Sequence, residues 1–276
     1  MKKPALLCLT LYLMLTFNIA AHASTLYLNY GDGNSLPGND YFAVDTITGK
    51  TLNSWAVEPS HTRNYPIAVY GDIRTTGHVG GETGGLFDLN GVYLGTDYTL
   101  TGISAPNELS DGTTDGINNY AVAFKNGNVY QFDRNWSSPT LLFNAGVSGG
   151  ITYDPSDETF WLSGDRNSNT GIRHYHKDGS PLGSFATPEV GSMDWNLALD
   201  PSDGTLWVGT NTTATLHNYD KSGGYQGSLT LSGIPSGSFY SAEFNLNPVV
   251  PIPAAVYLFG SGLLVLIGVS RRKKSS

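Results

Sequence analysis

The chain has 276 residues, 39% hydrophobic and 12% aromatic but only 14% charged, with a formal net charge of −8. An acidic chain of this kind repels nucleic acid and anionic lipid, and its single cysteine, Cys8, leaves no disulfide framework. Its 34 glycines and abundant aromatics suit many short strands joined by tight turns.

The first element is a leader. Lys2 and Lys3 form a charged start, Ala5 to Ala20 a mostly apolar stretch, and Ala21-His22-Ala23 a small-x-small site before Ser24. Those are the three parts of a secretory signal peptide over residues 1–23, with cleavage after Ala23 and export by the Sec machinery. Cys8 leaves with it. Two of the 15 basic residues lie in the leader and four (Arg271, Arg272, Lys273, Lys274) at the other end, so the body between them carries nine basic against 23 acidic residues, a net charge near −14. Solubility outside the cell is the plainest use of that charge.

The body, residues 24–247, reads as an all-β repeat. It opens with three strands, "TLYLNY", "YFAVD" and "TLNSW", one short of a four-stranded unit. A second unit starts at Tyr65, its second strand laden with glycine around Gly77 to Gly85. In the third, the innermost strand is hidden between Thr99 and Asn119 in a stretch that resembles a loop. The next two units match each other closely: "GGITYDPSDETFWLSG" and "WNLALDPSDGTLWVGT" place Asp154 and Asp200 46 residues apart and set Trp161 against Trp207, both expected in the core. Val44-Asp45, Phe87-Asp88, Phe132-Asp133, Tyr175-His176 and Tyr219-Asp220 mark the third strands at intervals of 43, 45, 43 and 44 residues. Each precedes a turn, where Asp bonds the backbone and Gly supplies a positive φ. A period of about 44 residues with four strands per unit predicts a β-propeller of five blades. A β-sandwich gives no reason for that period. A lone extra strand, Phe239 to Leu246, is expected to enter the first blade as its innermost strand and close the ring.

The body carries no nucleophile elbow, phosphate loop, HExxH helix or calcium loop, and no cofactor is expected. His174 and His176 share one strand face, but two imidazoles do not make a metal site, and a pair of surface histidines is the expectation. Asp72, Asp154, Asp200 and Glu243 fall in or just after the innermost strands, near the axis, where paired carboxylates would serve a glycosidase. Asp-Pro-Ser-Asp, however, reads first as a turn. Asp194 and Trp195, at the entrance of an inner strand, are the residues best placed to face a ligand in the channel. Trp55 and Trp136 lie outside the matched positions and offer either sugar stacking or packing.

The chain closes on "VPIPAAVYLFGSGLLVLIGVSRRKK". Ala254 to Val269 spans about 24 Å as a helix at ~1.5 Å per residue, a thin membrane crossing placed at 254–270. The cluster Arg271-Arg272-Lys273-Lys274 stays cytoplasmic by the positive-inside preference. Val250-Pro251-Ile252-Pro253-Ala254-Ala255, followed by the aromatic, Leu-Phe-Gly-Ser-Gly-Leu-Leu and basic order, resembles the PEP-CTERM class of sorting signals in its VPLPA variant. Ile252 replaces Leu, and Tyr257 stands where Trp is usual. The resemblance covers residues 248–276 only. It implies a Gram-negative exported protein handled by an exosortase-type membrane transpeptidase, held briefly in the inner membrane and then carried to the cell surface or extracellular matrix. The expected function is a non-enzymatic binding or structural module, with exopolysaccharide or an envelope protein as partner. A secreted glycan-active hydrolase and a plain membrane-anchored binding protein are the alternatives.

Overall fold

A computed structural model describes residues 24–31, 40–56, 63–105, 107–147, 149–164, 171–191, 194–210, 213–234 and 238–247. The leader expected over 1–23 and the sorting signal expected over 248–276, with its membrane crossing at 254–270, lie outside the described residues. The rest is a five-bladed β-propeller. Blade one joins β1 (Thr25–Gly31), β2 (Asp40–Asp45) and β3 (Thr51–Ala56) to the last strand of the chain, β20 (Ser238–Phe244), in the order β20-β1-β2-β3. Blade two is β4 (Ile67–Val69), β5 (Ile73–Thr75), β6 (Thr83–Phe87) and β7 (Tyr93–Thr99); blade three is β8 (Leu109–Thr114), β9 (Asn118–Ala123), β10 (Asn128–Asp133) and β11 (Thr140–Asn144). Blade four is β12 (Ile151–Asp154), β13 (Thr159–Ser163), β14 (Gly171–His176) and β15 (Pro181–Ala186). Blade five is β16 (Asp194–Leu199), β17 (Leu206–Thr210), β18 (Thr215–Tyr219) and β19 (Tyr225–Thr230).

The expected clasp is present. β20 pairs antiparallel with β1, Leu26 facing Phe244 and Leu28 facing Ala242, so the two ends of the body share one sheet without a cysteine. Beyond β20, the Leu246 amide donates to the Val69 carbonyl at 3.1 Å and ties the last strand to blade two. Each blade is a thin sheet with apolar residues on both faces, and burial of those faces against neighbours drives closure. Five core clusters result, one per seam. Between blades five and one, Leu26, Phe42 and Val44 meet Ala198, Leu216 and Leu231; between blades four and five, Trp161 and Ile172 meet Leu197, Leu206 and Tyr219. A fully buried Leu, Ile or Phe contributes roughly 1.5–3 kcal/mol, so a blade removed from the ring loses most of its stabilisation.

The turns follow the chemistry read from the pattern. Asp45, Asp88, Asp133 and Asp220 each accept a hydrogen bond through Oδ1 from the amide two residues on, at 2.8–2.9 Å. Gly91 and Gly223 supply φ values of 77° and 90° in these turns, and a Cβ there would strike Trp55 or Phe185 of the preceding blade. In blade three this place is taken by Trp136, at φ 58° and fully buried. A bulky residue is strained in that region, and its ring is held edge-on to Phe132 at 5.3 Å.

Two local expectations are corrected. The hidden inner strand of blade three is β8, Leu-Ser-Asp-Gly-Thr-Thr, buried along its whole length. It looks like a loop because small polar residues serve where backbones converge on an axis. In blade two the second strand is the three-residue β5, and the glycine-laden stretch forms the connection and the start of β6. A Cβ on Gly84 would lie 2.3 Å from the Thr75 carbonyl oxygen, so this backbone approach needs glycine.

Candidate functional site

The innermost strands β4, β8, β12, β16 and β20 neighbour one another around the axis. All five start at one end of the ring, the entrance, and finish at the other. Midway along the axis Asp111, on β8, is wholly buried. Its Oδ1 accepts from the Gly112 amide at 2.8 Å and its Oδ2 from the Ile151 and Leu197 amides at 3.2 Å each, while the Ala242 amide also bonds it. One carboxyl thus gathers amides from four inner strands. Glu243, on β20, is equally buried; Oε1 accepts from Thr152 Oγ1 at 3.1 Å and from the Phe244 amide at 3.0 Å, and the Thr113 hydroxyl bonds it too. Thr152 Oγ1 accepts in turn from the Leu199 amide at 3.1 Å.

Burial pushes both carboxyls well above the usual carboxylate range, against the hydrogen bonds that favour ionisation, and the charge of Asp111 raises Glu243 further. The two acids therefore hold a proton readily. Chemically this is a seal. The pair is satisfied by backbone and hydroxyl groups of the inner strands and presents no surface to a substrate.

The entrance itself is polar and aromatic. Tyr65 stacks on Tyr240 with ring centroids 4.1 Å apart, and His78 lies 4.6 Å from Tyr65. Glu82 Oε2 accepts from the His78 and Val79 amides at 2.9 Å, and Arg63 pairs with Glu82 at 2.6 Å. Glu108 pairs with Lys125 at 2.7 Å and faces His78 Nε2 at 3.6 Å. Desolvation lowers the His78 pKa, outweighing the bond to the Leu109 carbonyl and the two nearby glutamates, so the imidazole stays neutral at neutral pH. Arg63 and Lys125, about half exposed at the side chain, are the solvent-facing cations of this rim.

At the opposite end, ion pairs cross three of the five seams. Arg134 reaches Asp72 at 2.7 Å, Lys177 reaches Asp115 at 2.9 Å, and Lys221 reaches Asp154. Each base directly follows the Asp or His that opens the turn between third and fourth strands. Each acid stands at the end of the preceding blade's innermost strand. Lys177 also lies 4.9 Å from the Tyr153 ring centroid, a cation–π contact.

The structure separates the residues singled out from the sequence. Glu243 is on the axis, together with Asp111, which sequence reasoning missed because it lies in the loop-like stretch. Asp72 is a seam acid held by Arg74 at 2.8 Å and by Arg134, not a channel group. Asp154 and Asp200 stand at the same far end, each accepting from the serine amide two residues on, at 3.0 and 2.8 Å. Asp194 and Trp195 open β16 as expected, but their side chains lie outside the described residues. His174 stacks on Trp161 at 3.7 Å and bonds Thr159 Oγ1 at 2.6 Å, whereas His176 is exposed at the end of β14. No group of three or more His, Cys, Asp or Glu able to hold a metal occurs among the described residues. Trp136 is buried and Trp55 stacks on Tyr41 at 5.7 Å, so both are packing residues and neither offers a free face for a sugar. Trp207 is only partly buried, and with Asn218, Asp203, Gln226 and Thr46 it lines a groove of about 380 Å³ between blades five and one.

No family model matches the chain, and no curated protein matches it in sequence. Solved structures share its fold. A chain of a nidogen/laminin complex is similar over 81% of this chain and 98% of its own, at 13% identity and a TM-score of 0.52. A protein of unknown function from Bacteroides thetaiotaomicron is similar over 83% of this chain and 66% of its own, at 15% identity and a TM-score of 0.53. At these identities the likeness establishes the propeller and nothing about a ligand.

Proposed function

We propose that this chain is an exported protein of the cell surface or extracellular matrix, sorted by an exosortase-type transpeptidase through residues 248–276, and that its propeller is a non-enzymatic binding module for an envelope glycan or protein. The observation that carries the sorting is the tail itself: Val250-Pro251-Ile252-Pro253-Ala254, an apolar run and Arg271 to Lys274, in that order. The body supports a binding role through its entrance, where stacked Tyr65 and Tyr240 lie beside Arg63, Glu82 and Glu108. The hydrolase alternative needs two accessible carboxyls facing one substrate. Asp111 and Glu243, acids of the inner strands β8 and β20, are both fully buried and bonded to the inner strands.

The test is intact mass and cell fractionation in the native host, with a tag in a body loop. Loss of the residues after the proline motif, with the body at the surface or in the medium, is the expected result. An intact tail in the inner membrane would refute the sorting and leave a plain anchored protein. The binding role is tested separately: the body, Ser24 to Asn247, is expected to be retained on the producer's own exopolysaccharide or envelope fraction, and failure on both would refute it.

A further inference from the structure

The seam between blades five and one keeps the acid of the ion-pair pattern but not the base. Asp200 is 3% exposed, and among the described residues no cation reaches it. The position held by Arg134, Lys177 and Lys221 in three of the other seams is Thr46 here. Among the described residues Trp207 Nε1 has no partner, whereas its counterpart Trp161 Nε1 donates to Asp154 Oδ2 at 3.2 Å. A buried carboxylate without a countercharge is costly.

Ser24 sits where the base would be. Its carbonyl accepts from the Thr46 amide at 3.2 Å and from Thr46 Oγ1 at 3.0 Å, and its Oγ lies 3.1 Å from Ser202 Oγ. Ser202 is the counterpart of Ser156, whose Oγ accepts from Lys221 Nζ at 3.1 Å in the neighbouring seam. Ser24 Oγ therefore meets Ser202 at the blade five–blade one seam as Lys221 Nζ meets Ser156 between blades four and five.

We infer that this seam is built to take a primary ammonium, and that its occupant is the α-amino group of Ser24, set free when the leader is removed. The inference rests on cleavage after Ala23. Water adds across the Ala23–Ser24 amide, the C–N bond breaks, the water oxygen leaves with Ala23 as a carboxylate, and both water protons go to the Ser24 nitrogen, which becomes an ammonium. A neutral amide becomes a cation on the residue whose hydroxyl meets Ser202 of the Asp200 turn. Processing thereby supplies a fourth seam ion pair, at the junction where the first and last blades meet.

The test compares the exported, processed full chain with the same chain carrying two glycines inserted between Ala23 and Ser24, so that both are cleaved but only one has its ammonium on Ser24. Intact mass identifies the first residue, and thermal melting at neutral pH reads the seam. The inserted form is expected to melt lower by about 2–4 °C. Thr46→Lys, which puts a lysine at the regular seam position, is expected to restore it, and Asp200→Asn to abolish the difference between the two forms. Equal melting of the two forms, or a gap that persists in Asp200→Asn, would overturn the ion pair. A wild-type mass that starts at another residue would overturn the cleavage reading instead, and with it the ammonium on Ser24.

Discussion

Blades four and five share the same turn, Asp-Pro-Ser-Asp, and the same Trp seven residues after its first Asp, yet they treat that Trp differently. In blade four His174 lies flat on Trp161, with an interplanar angle of 4°, the indole N–H reaches Asp154, and Lys221 closes the acid from the next blade. In blade five the residue across from Trp207 is Asn218, which bonds Thr205 Oγ1 at 3.0 Å and whose own Oδ1 finds no partner among the described residues. A groove opens there. The lesson is that the repeat conserves what a blade needs to fold, the turn and the inward apolar residues, while the final polar contacts are set separately at each seam.

The largest effect expected from breaking this comparison is at Lys221. Lys221→Met strands the carboxylate of Asp154, whose side chain is 1% exposed, and is expected to cost about 2 kcal/mol, below the full range for buried pairs because the lysine is itself a third exposed. Thr46→Val, at the same position one seam on, removes a hydroxyl donor to Ser24 and is expected to cost about 1 kcal/mol. Chemical denaturation of the two variants ranks them, and equal losses would mean that the seams do not differ.

Acid sharpens the contrast. Burial opposes ionisation of Asp154, but the bonds from Lys221, Ser156 and Trp161 outweigh it and hold its pKa below the usual value. The stability this contributes is complete above the unfolded-state pKa, about 4, and is lost as pH falls through the lower folded value. Wild type is therefore expected to lose stability more steeply below about pH 4 than Lys221→Met. The axial pair has the opposite sign: the raised pKa of Asp111 and of Glu243 means that the folded state binds their protons more tightly, so acid favours the sealed axis. Parallel acid limbs in wild type and Lys221→Met would remove the ion pair from the account.

The smallest effect is at the stacking position. Asn218→His is expected to cover Trp207 as His174 covers Trp161, blue-shifting its fluorescence and adding up to about 1 kcal/mol. His174→Asn is expected to do the reverse in blade four. Two variants with unchanged emission would show that the ring partner does not control access to the indole.

Much of the ring was legible because its signals are local. Asp45, Asp88, Asp133 and Asp220 bond within their own turns, so their recurrence shows in the chain without knowledge of neighbours. The seam bases were legible in principle, since Arg134, Lys177 and Lys221 hold one place in the repeat, but nothing local says that each reaches an acid in another blade. Asp111 was not legible. Its partners, Ile151, Leu197 and Ala242, are far away in sequence and come together only when the ring closes.

By itself the sequence determined the blade period, the turn chemistry and the strand that closes the ring, because these depend on apolar alternation and on contacts a few residues apart. Only the tertiary structure decided which acids are sealed on the axis, which are paired across seams, and which Trp keeps an open side. Those outcomes depend on charges and rings brought together from different blades, where burial sets the cost of every polar group left without a partner.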